Sequence, residues 1–313
     1  MVEKTKKVGT HIAYQNQSHK QDHKYNQERS SGGNQDPGCM FICATPIGNL
    51  DDCSFRLIKT LTDVDYIIAE DTRTIRKLLA RFKISKPAGR IISYQDYSSP
   101  SKVAFILEKL KQGENLALVS ESGIPSIQDP GYKIVSACID KGVPITFIPG
   151  PNAALSALVL SGLPTDSFLF VGFLPKTEIK RKEKIEEIAY LPYTLIFYES
   201  PLRLEKLLGE LLAVFGDRKA CVAREITKLY EETIRGRLSE ILAEVKSRKI
   251  KGEMVLVVEG YKKEKIKGYA ENDIKKEFAK LISRNIPKKA ALKIIVSRYD
   301  IDRQTLYNIS TKI

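Results

Sequence analysis

Leu116-Ala117-Leu118-Val119-Ser120-Glu121-Ser122-Gly123-Ile124-Pro125-Ser126-Ile127-Gln128-Asp129-Pro130-Gly131-Tyr132 is an apolar run that passes into a Ser/Gly/Pro-rich loop before a helical pattern resumes. The run reads as a buried strand, so the loop lies beyond that strand's carboxyl end. In open α/β sheets ligands bind there. Small Ser122 and Gly123, braced by Pro125 and Pro130, let backbone amides and carbonyls come close to a ligand. The other reading is a purely structural strand-to-helix turn. Neither usual nucleotide loop is present: no two glycines sit two apart, and nothing matches the phosphate-loop spacing that ends in Gly-Lys-Ser/Thr.

The same alternation extends to both sides. Met40–Ala44 reads as a strand ending in Thr45-Pro46-Ile47-Gly48-Asn49-Leu50, and Asp65–Ala69 as a strand ending in Glu70-Asp71-Thr72-Arg73. A helix with Ile75, Leu78, Leu79 and Phe82 inside carries Arg73, Arg76, Lys77 and Arg81 around that stripe. Such a face is either solvated or set against RNA phosphates. Further strands are expected at Ile91–Tyr94 and Val143–Ile148, the latter stopping at Pro149-Gly150-Pro151, the candidate domain boundary. A second α/β unit follows, with strands at Phe168–Phe173, Thr194–Tyr198, Lys219–Ala223 and Met254–Val258. Charged groups at Glu199, Arg224 and Lys251-Gly252-Glu253 are expected to gather on one rim of a parallel sheet.

Composition narrows the class. The 313 residues suffice for two domains and a small appendage, and no apolar run is long enough to span a bilayer. Cytoplasmic placement is the default expectation. Five scattered cysteines suit reduced thiols rather than a disulfide framework, and no metal site is expected. All three histidines fall in residues 1–39, a polar leader expected to be disordered, with Met40 as an alternative start. The remainder therefore cannot run a Ser-His-Asp or Cys-His mechanism. Residues 262–313 hold 14 Lys/Arg against six Asp/Glu, within a net charge of +13. That excess suits a polyanionic partner, or a merely solvated lysine-rich surface. The tail reads as three short helices, with Asp302 as an N-cap, and is either a helix-turn-helix-like module or a structural cap.

Nine segments taken in order carry a resemblance: Ala44–Leu50, Ala69–Arg73, Asp129–Tyr132, Pro149–Pro151, Ser161–Pro164, Gly172–Pro175, Tyr198–Pro201, Ala223–Glu225 and Lys251–Glu253. Together they resemble the ribosomal RNA small subunit methyltransferase I family of the tetrapyrrole methylase superfamily, over about residues 40–261. The resemblance implies two α/β domains, 40–150 and 151–262, with S-adenosylmethionine in the cleft between them, and a basic helical module at 270–313. It also implies a homodimer and methyl transfer to a cytidine ribose 2′-oxygen in the 16S rRNA of the small ribosomal subunit. By superfamily analogy the cofactor would meet Pro46, Glu121, Ser122, Gly123 and Pro125, with Ala153, Tyr198 and Thr227 closing around it. Candidates for a base are Glu70, Asp71, Glu199 and Lys228, of which Glu199 is the first expectation, with Arg73, Arg76 and Arg203 on RNA phosphates. The other reading of these charges is that they pair with one another.

Departures from the family pattern are also visible. Glu121 stands where Asp is usual, Ser126 where Gly is usual and Leu202 where His is usual, while Ser93-Tyr94-Gln95-Asp96-Tyr97 replaces a His/Glu-rich segment. Two other functions stay open: a superfamily enzyme acting on a tetrapyrrole or a protein, and a non-catalytic rRNA-binding protein. Cofactor binding and RNA binding, measured separately, distinguish them.

Overall fold

The computed structural model describes residues 37–248, 250–262, 268–283, 287–299 and 301–310. Most of the expected leader lies outside the described residues. Gly38 and Cys39, assigned to it from sequence, are already part of the fold: the Gly38 amide donates to the Leu110 carbonyl (2.7 Å) and the Cys39 amide to Asn115 Oδ1 (3.0 Å).

By contacts the chain divides into two units, one holding residues 1–156 and 225–231, the other 157–224 and 232–313. In the first, strands β1 (Met40–Cys43), β2 (Tyr66–Ala69), β3 (Ile91–Ser93), β4 (Leu116–Val119) and β5 (Ile145–Ile148) form a sheet in the order β3-β2-β4-β1-β5. Every pairing in it is parallel. Helices α1 (Phe55–Asp63) and α2 (Thr72–Arg81) pack Leu57, Leu61, Ile75, Leu78 and Leu79 on one face. Helices α3 (Pro100–Lys111) and α4 (Tyr132–Asp140) pack Ile106, Leu110, Ile134 and Cys138 on the other. Both faces are thus covered, which is why β2 and β4 are apolar at every position. The chain leaves β1 past β4 towards β2, and leaves β4 past β1 towards β5. Adjacent strands with connections running in opposite directions mark the switch point where α/β sheets bind ligands.

Helix α5 (Ala153–Ser161) leads into the second unit, whose strands are β6 (Phe168–Phe173), β7 (Thr194–Glu199), β8 (Lys219–Arg224), β9 (Glu232–Arg237) and β10 (Met254–Val258), in the order β6-β7-β10-β8-β9. This sheet is mixed, correcting the expectation of a parallel one. β6 and β7 are parallel, but β10 runs antiparallel to both β7 and β8, as does β9 to β8. Met254 pairs with both Glu199 and Arg224. The strand ends at Glu199 and Arg224 and the segment before β10 therefore share one rim because β10 is reversed; in a parallel sheet its start would lie at the opposite rim. Helices α6 (Glu178–Ile188), α7 (Pro201–Phe215) and α8 (Leu238–Ser247) cover a core that includes Leu195, Phe197, Leu208, Val222, Leu238 and Leu256.

The tail forms α9 (Glu271–Ser283), α10 (Lys288–Arg298) and α11 (Arg303–Ser310) around its own core of Ile274, Phe278, Ile295, Tyr299 and Leu306. Asp302 caps α11, accepting from the Thr305 amide (2.9 Å) and hydroxyl (2.6 Å), which hold its carboxyl below the usual range. The five cysteines are free thiols, and no described helix is long and apolar enough to cross a membrane.

Candidate active site

The first unit builds its site where the loops after β1 and β4 meet. Thr45 and Gly123 exchange both backbone hydrogen bonds, at 2.8 and 3.1 Å, forming a one-pair antiparallel bridge. The Gly123 carbonyl also accepts from Ser120 Oγ (2.9 Å) and Thr45 Oγ1 (3.4 Å). Gly123 sits at φ +82°, a left-handed conformation a side chain resists, and a Cβ there would lie 3.5 Å from Ile47. Pro46, Ile47, Gly123 and Pro125 are buried, while Glu121 and Ser122 stand exposed at the loop tip. A rigid backbone turn thus presents a carboxylate and a hydroxyl to solvent.

The rest of this loop is strained. Ser126 (φ +70°) and Gln128 (φ +63°) are left-handed although neither is glycine. The Ser126 hydroxyl is buried without a hydrogen-bond partner, in the space that a Cβ on Gly131 would need: such an atom would fall 2.6 Å from it. We expect Ser126→Gly to raise stability by about 1 to 2 kcal/mol, by removing both left-handed strain and an unsatisfied hydroxyl. Urea denaturation checks this, and a loss of stability would show that the hydroxyl is bonded in solution.

Carboxyl groups gather at the same strand ends. Glu70 follows β2, Asp129 lies in the β4 loop, and Asp96 in the β3 loop accepts from the Gly131 amide (3.0 Å). Burial, then the charges of Glu70 and Glu121, push Asp129 up to about 6. Glu70 is likewise raised, by burial first and then by Glu121, Asp96 and Asp71. Asp71 differs: Arg73 grips it through Nε and Nη2 (3.1 and 2.7 Å) and holds it at about 2. Arg73 is 86 % exposed beyond that pair and Arg76 is exposed on the next turn of α2.

Segment 225–231 joins the first unit through Thr227, whose Oγ1 accepts from the Asn49 amide (3.1 Å). Glu225 and Thr227 are left-handed (φ +49° and +69°), and Lys228 Nζ meets Glu225 Oε1 at 3.0 Å. Gly48 must lack a side chain here, since a Cβ would fall 2.5 Å from Lys228. Ala153 begins α5, half-buried. The structure therefore brings Pro46, Glu70, Glu121, Ser122, Gly123, Pro125, Ala153, Thr227 and Lys228 into one unit, with Arg73 and Arg76.

Tyr198, Glu199 and Arg203 stand on the second unit. Tyr198 packs edge-on to Phe170 (5.0 Å) and Phe173 (5.6 Å). Glu199 is buried, with Oε1 accepting from the Ser200 amide (2.7 Å) and Oε2 at 3.3 Å from Arg203 Nη2. Arg203 also donates to the Leu174 carbonyl (3.1 Å). These two charges lie within ion-pair distance of one another, the alternative weighed from sequence, although Glu199 Oε2 is buried without a hydrogen-bond partner. Sequence reasoning did not single out Asp129 or Asp96 as site residues. Asp129 was visible in its Asp-Pro-Gly turn, but of the two carboxyls that perturb it only Glu121 shares its loop, and Glu70 lies far away in the chain. Among the described residues no group of three or more His, Cys, Asp or Glu is arranged to hold a metal ion.

Residues 41–242 match the family model of tetrapyrrole (corrin/porphyrin) methylases. Cobalt precorrin-4 methyltransferase, a cobalamin biosynthetic enzyme, shares the fold with a TM-score of 0.53 at 18% identity, over 71% of this chain and 94% of its own. The family match thus places the chain among the tetrapyrrole methylases, whose fold it shares. Sequence relatives are more specific. Ribosomal RNA small subunit methyltransferase I of Halalkalibacterium halodurans is 45% identical over 72% of this chain and 77% of its own. The Bacillus subtilis protein of the same name is 38% identical over 90% of this chain and 97% of its own. The chain belongs to the ribosomal RNA small subunit methyltransferase I family.

Proposed function

We propose that this chain is an S-adenosylmethionine-dependent methyltransferase that modifies the ribose 2′-hydroxyl of a cytidine in the 16S rRNA of the small ribosomal subunit, working as a homodimer. The observation that carries this reading is the match to a named rRNA methyltransferase over 90% of this chain and 97% of the relative.

The residues fit a cationic methyl donor. Glu70, Glu121 and Asp129 create a negative local field, and the Gly123 bridge to Thr45 fixes the loop tip that carries Glu121 and Ser122. When bound, the cofactor supplies an electrophilic methyl group. Pro46, Gly123 and Pro125 shape its seat, Glu121 and Ser122 offer an acceptor and a hydroxyl, and Thr227 and Ala153 border it. Glu70 is our choice for the group that takes the ribose hydroxyl proton, because burial and like charge raise its basicity while Glu199 is held by Arg203. Lys228 steadies Glu225, and Arg73 and Arg76 meet phosphates.

The test is methyl transfer from labelled S-adenosylmethionine to small subunits lacking the modification, with the labelled nucleoside identified by mass spectrometry. Labelled 2′-O-methylcytidine is expected. No transfer despite cofactor binding would overturn the substrate. Deleting residues 270–313 is expected to weaken binding to small subunits about tenfold and to flatten its salt dependence; an unchanged slope would make the tail a structural cap.

A further inference from the structure

Two exposed aromatic side chains stand beside the candidate active site, on loops tied to each other. Tyr97 is 82% exposed and Tyr132 is 71% exposed. Tyr97 occupies the third position of a tight turn closed by the Ser98 amide on the Gln95 carbonyl (2.7 Å), and the Gln95 amide in return donates to Ser98 Oγ (2.8 Å). The turn is anchored from below by buried Tyr94, whose amide donates to the Ala69 carbonyl (2.9 Å). Tyr132 opens α4 at the end of the loop that carries Glu121, Gly123 and Asp129. The residues immediately before each tyrosine are bonded to one another, Gly131 N–H to Asp96 Oδ1 (3.0 Å), and Lys133 Nζ closes a second bond to the Asp96 carbonyl (2.6 Å).

Two rings are thus held on a pinned backbone with their area left in water. A phenol fixed by two torsions loses little entropy when it stacks. Proteins that read single-stranded RNA combine such rings with cations that follow the phosphates. Cations lie nearby: Lys133 is exposed on the first turn of α4, and Arg73, paired with Asp71, is exposed on the first turn of α2.

We propose that Tyr97 and Tyr132 form a stacking platform for unpaired bases of the RNA substrate, flanking the nucleotide that is methylated. This rests on the reading of the chain as an rRNA methyltransferase. Because the platform is separate from the cofactor seat, its loss should act on RNA and not on the methyl donor.

The natural chain contains no tryptophan, so Tyr97→Trp creates a single reporter. Its emission is expected to be quenched on titration with a single-stranded oligoribonucleotide, and less so with a duplex of the same sequence. In methyl transfer to small subunits, Tyr97→Ala and Tyr132→Ala are each expected to raise KM about tenfold, with S-adenosylmethionine affinity unchanged and the Phe variants returning to within about twofold of the natural chain. Unquenched emission, or Ala variants with the natural KM, would overturn the platform. So would Ala variants that keep RNA affinity but shift the sedimentation coefficient, which would make the surface an interface between copies. If the natural chain itself transfers no methyl group to small subunits, the rRNA reading fails, and the quenching titration still decides whether the tyrosines stack on bases.

Discussion

Gly123→Val is expected to lower S-adenosylmethionine affinity by at least 100-fold while leaving the chain folded. The two loops of the switch point are joined at this residue, through both of its backbone groups and a carbonyl that takes two hydroxyls besides. A β-branched residue resists φ +82° by about 1 to 2 kcal/mol, and the easiest relief is to rotate the peptide and break the bridge to Thr45. Space is not the obstacle, since a Cβ finds only Ile47 at 3.5 Å and the Pro151 carbonyl at 3.8 Å. The effect therefore comes from conformation, and Gly123→Ala should show a smaller loss of the same kind. Calorimetric titration with S-adenosylmethionine checks affinity, and circular dichroism checks the fold. Unchanged affinity in the Val variant would remove this loop from the cofactor seat.

The carboxyl cluster yields the second large effect. Glu70→Gln is expected to reduce kcat about 100-fold or more, the usual worth of a general base, with little change in cofactor affinity. Burial and like charge hold both Asp129, at about 6, and Glu70 above the ordinary carboxylate range, so activity of the natural chain should rise with pH above that range as Glu70 gives up its proton. Asp129→Asn removes a like charge from Glu70 and should move that limb to lower pH. The stability sign runs the other way. With its pKa raised from 3.8 to about 6, Asp129 binds its proton more tightly in the folded state, so folding stability falls as pH rises across that window. The shift corresponds to about 3 kcal/mol before screening, and solvent access to this half-buried group cuts it to about 1. Asp129→Asn should thus gain roughly 1 kcal/mol at neutral pH and none below pH 4. Thermal melts at pH 4 and 7.5 test this, and a variant less stable at pH 7.5 would show that the carboxylate is favourably bonded there.

Much of this architecture is written in local patterns. β1, β2 and β4 are short apolar runs that end at turn formers, so both strands and loops could be located from residue type alone. β9 escaped because Glu-Thr-Ile-Arg-Gly-Arg is an edge strand in which Ile234 alone is buried, leaving no apolar run to notice. The direction of β10 escaped for a different reason: Met-Val-Leu-Val-Val is buried at every position and would look the same in either direction. In the site, the turns at Gly123 and Gly131 in the 120–131 loop were legible because Gly and Pro announce them, whereas the left-handed backbone of Gln128 was not. The ion pair of Glu199 with Arg203 joins the last residue of β7 to the first turn of α7, four residues on, and was open to the same reasoning. The proton affinity of Asp129 was not, since it depends first on burial in the fold and then on Glu70 arriving from the end of β2.

The reversed strand β10 also dictates an order of assembly during synthesis. Its partners β7 and β8 hydrogen-bond to it and not to each other, yet it is the last strand of its sheet to be made. Until Val258 leaves the ribosome, the nascent chain carries two separate ribbons, β6-β7 and β8-β9, each with an open apolar edge. Such edges invite mispairing between neighbouring nascent chains. Chains stalled before Met254 should accordingly be held by chaperones, and those released beyond Val258 should not, because one five-residue insertion closes both edges together.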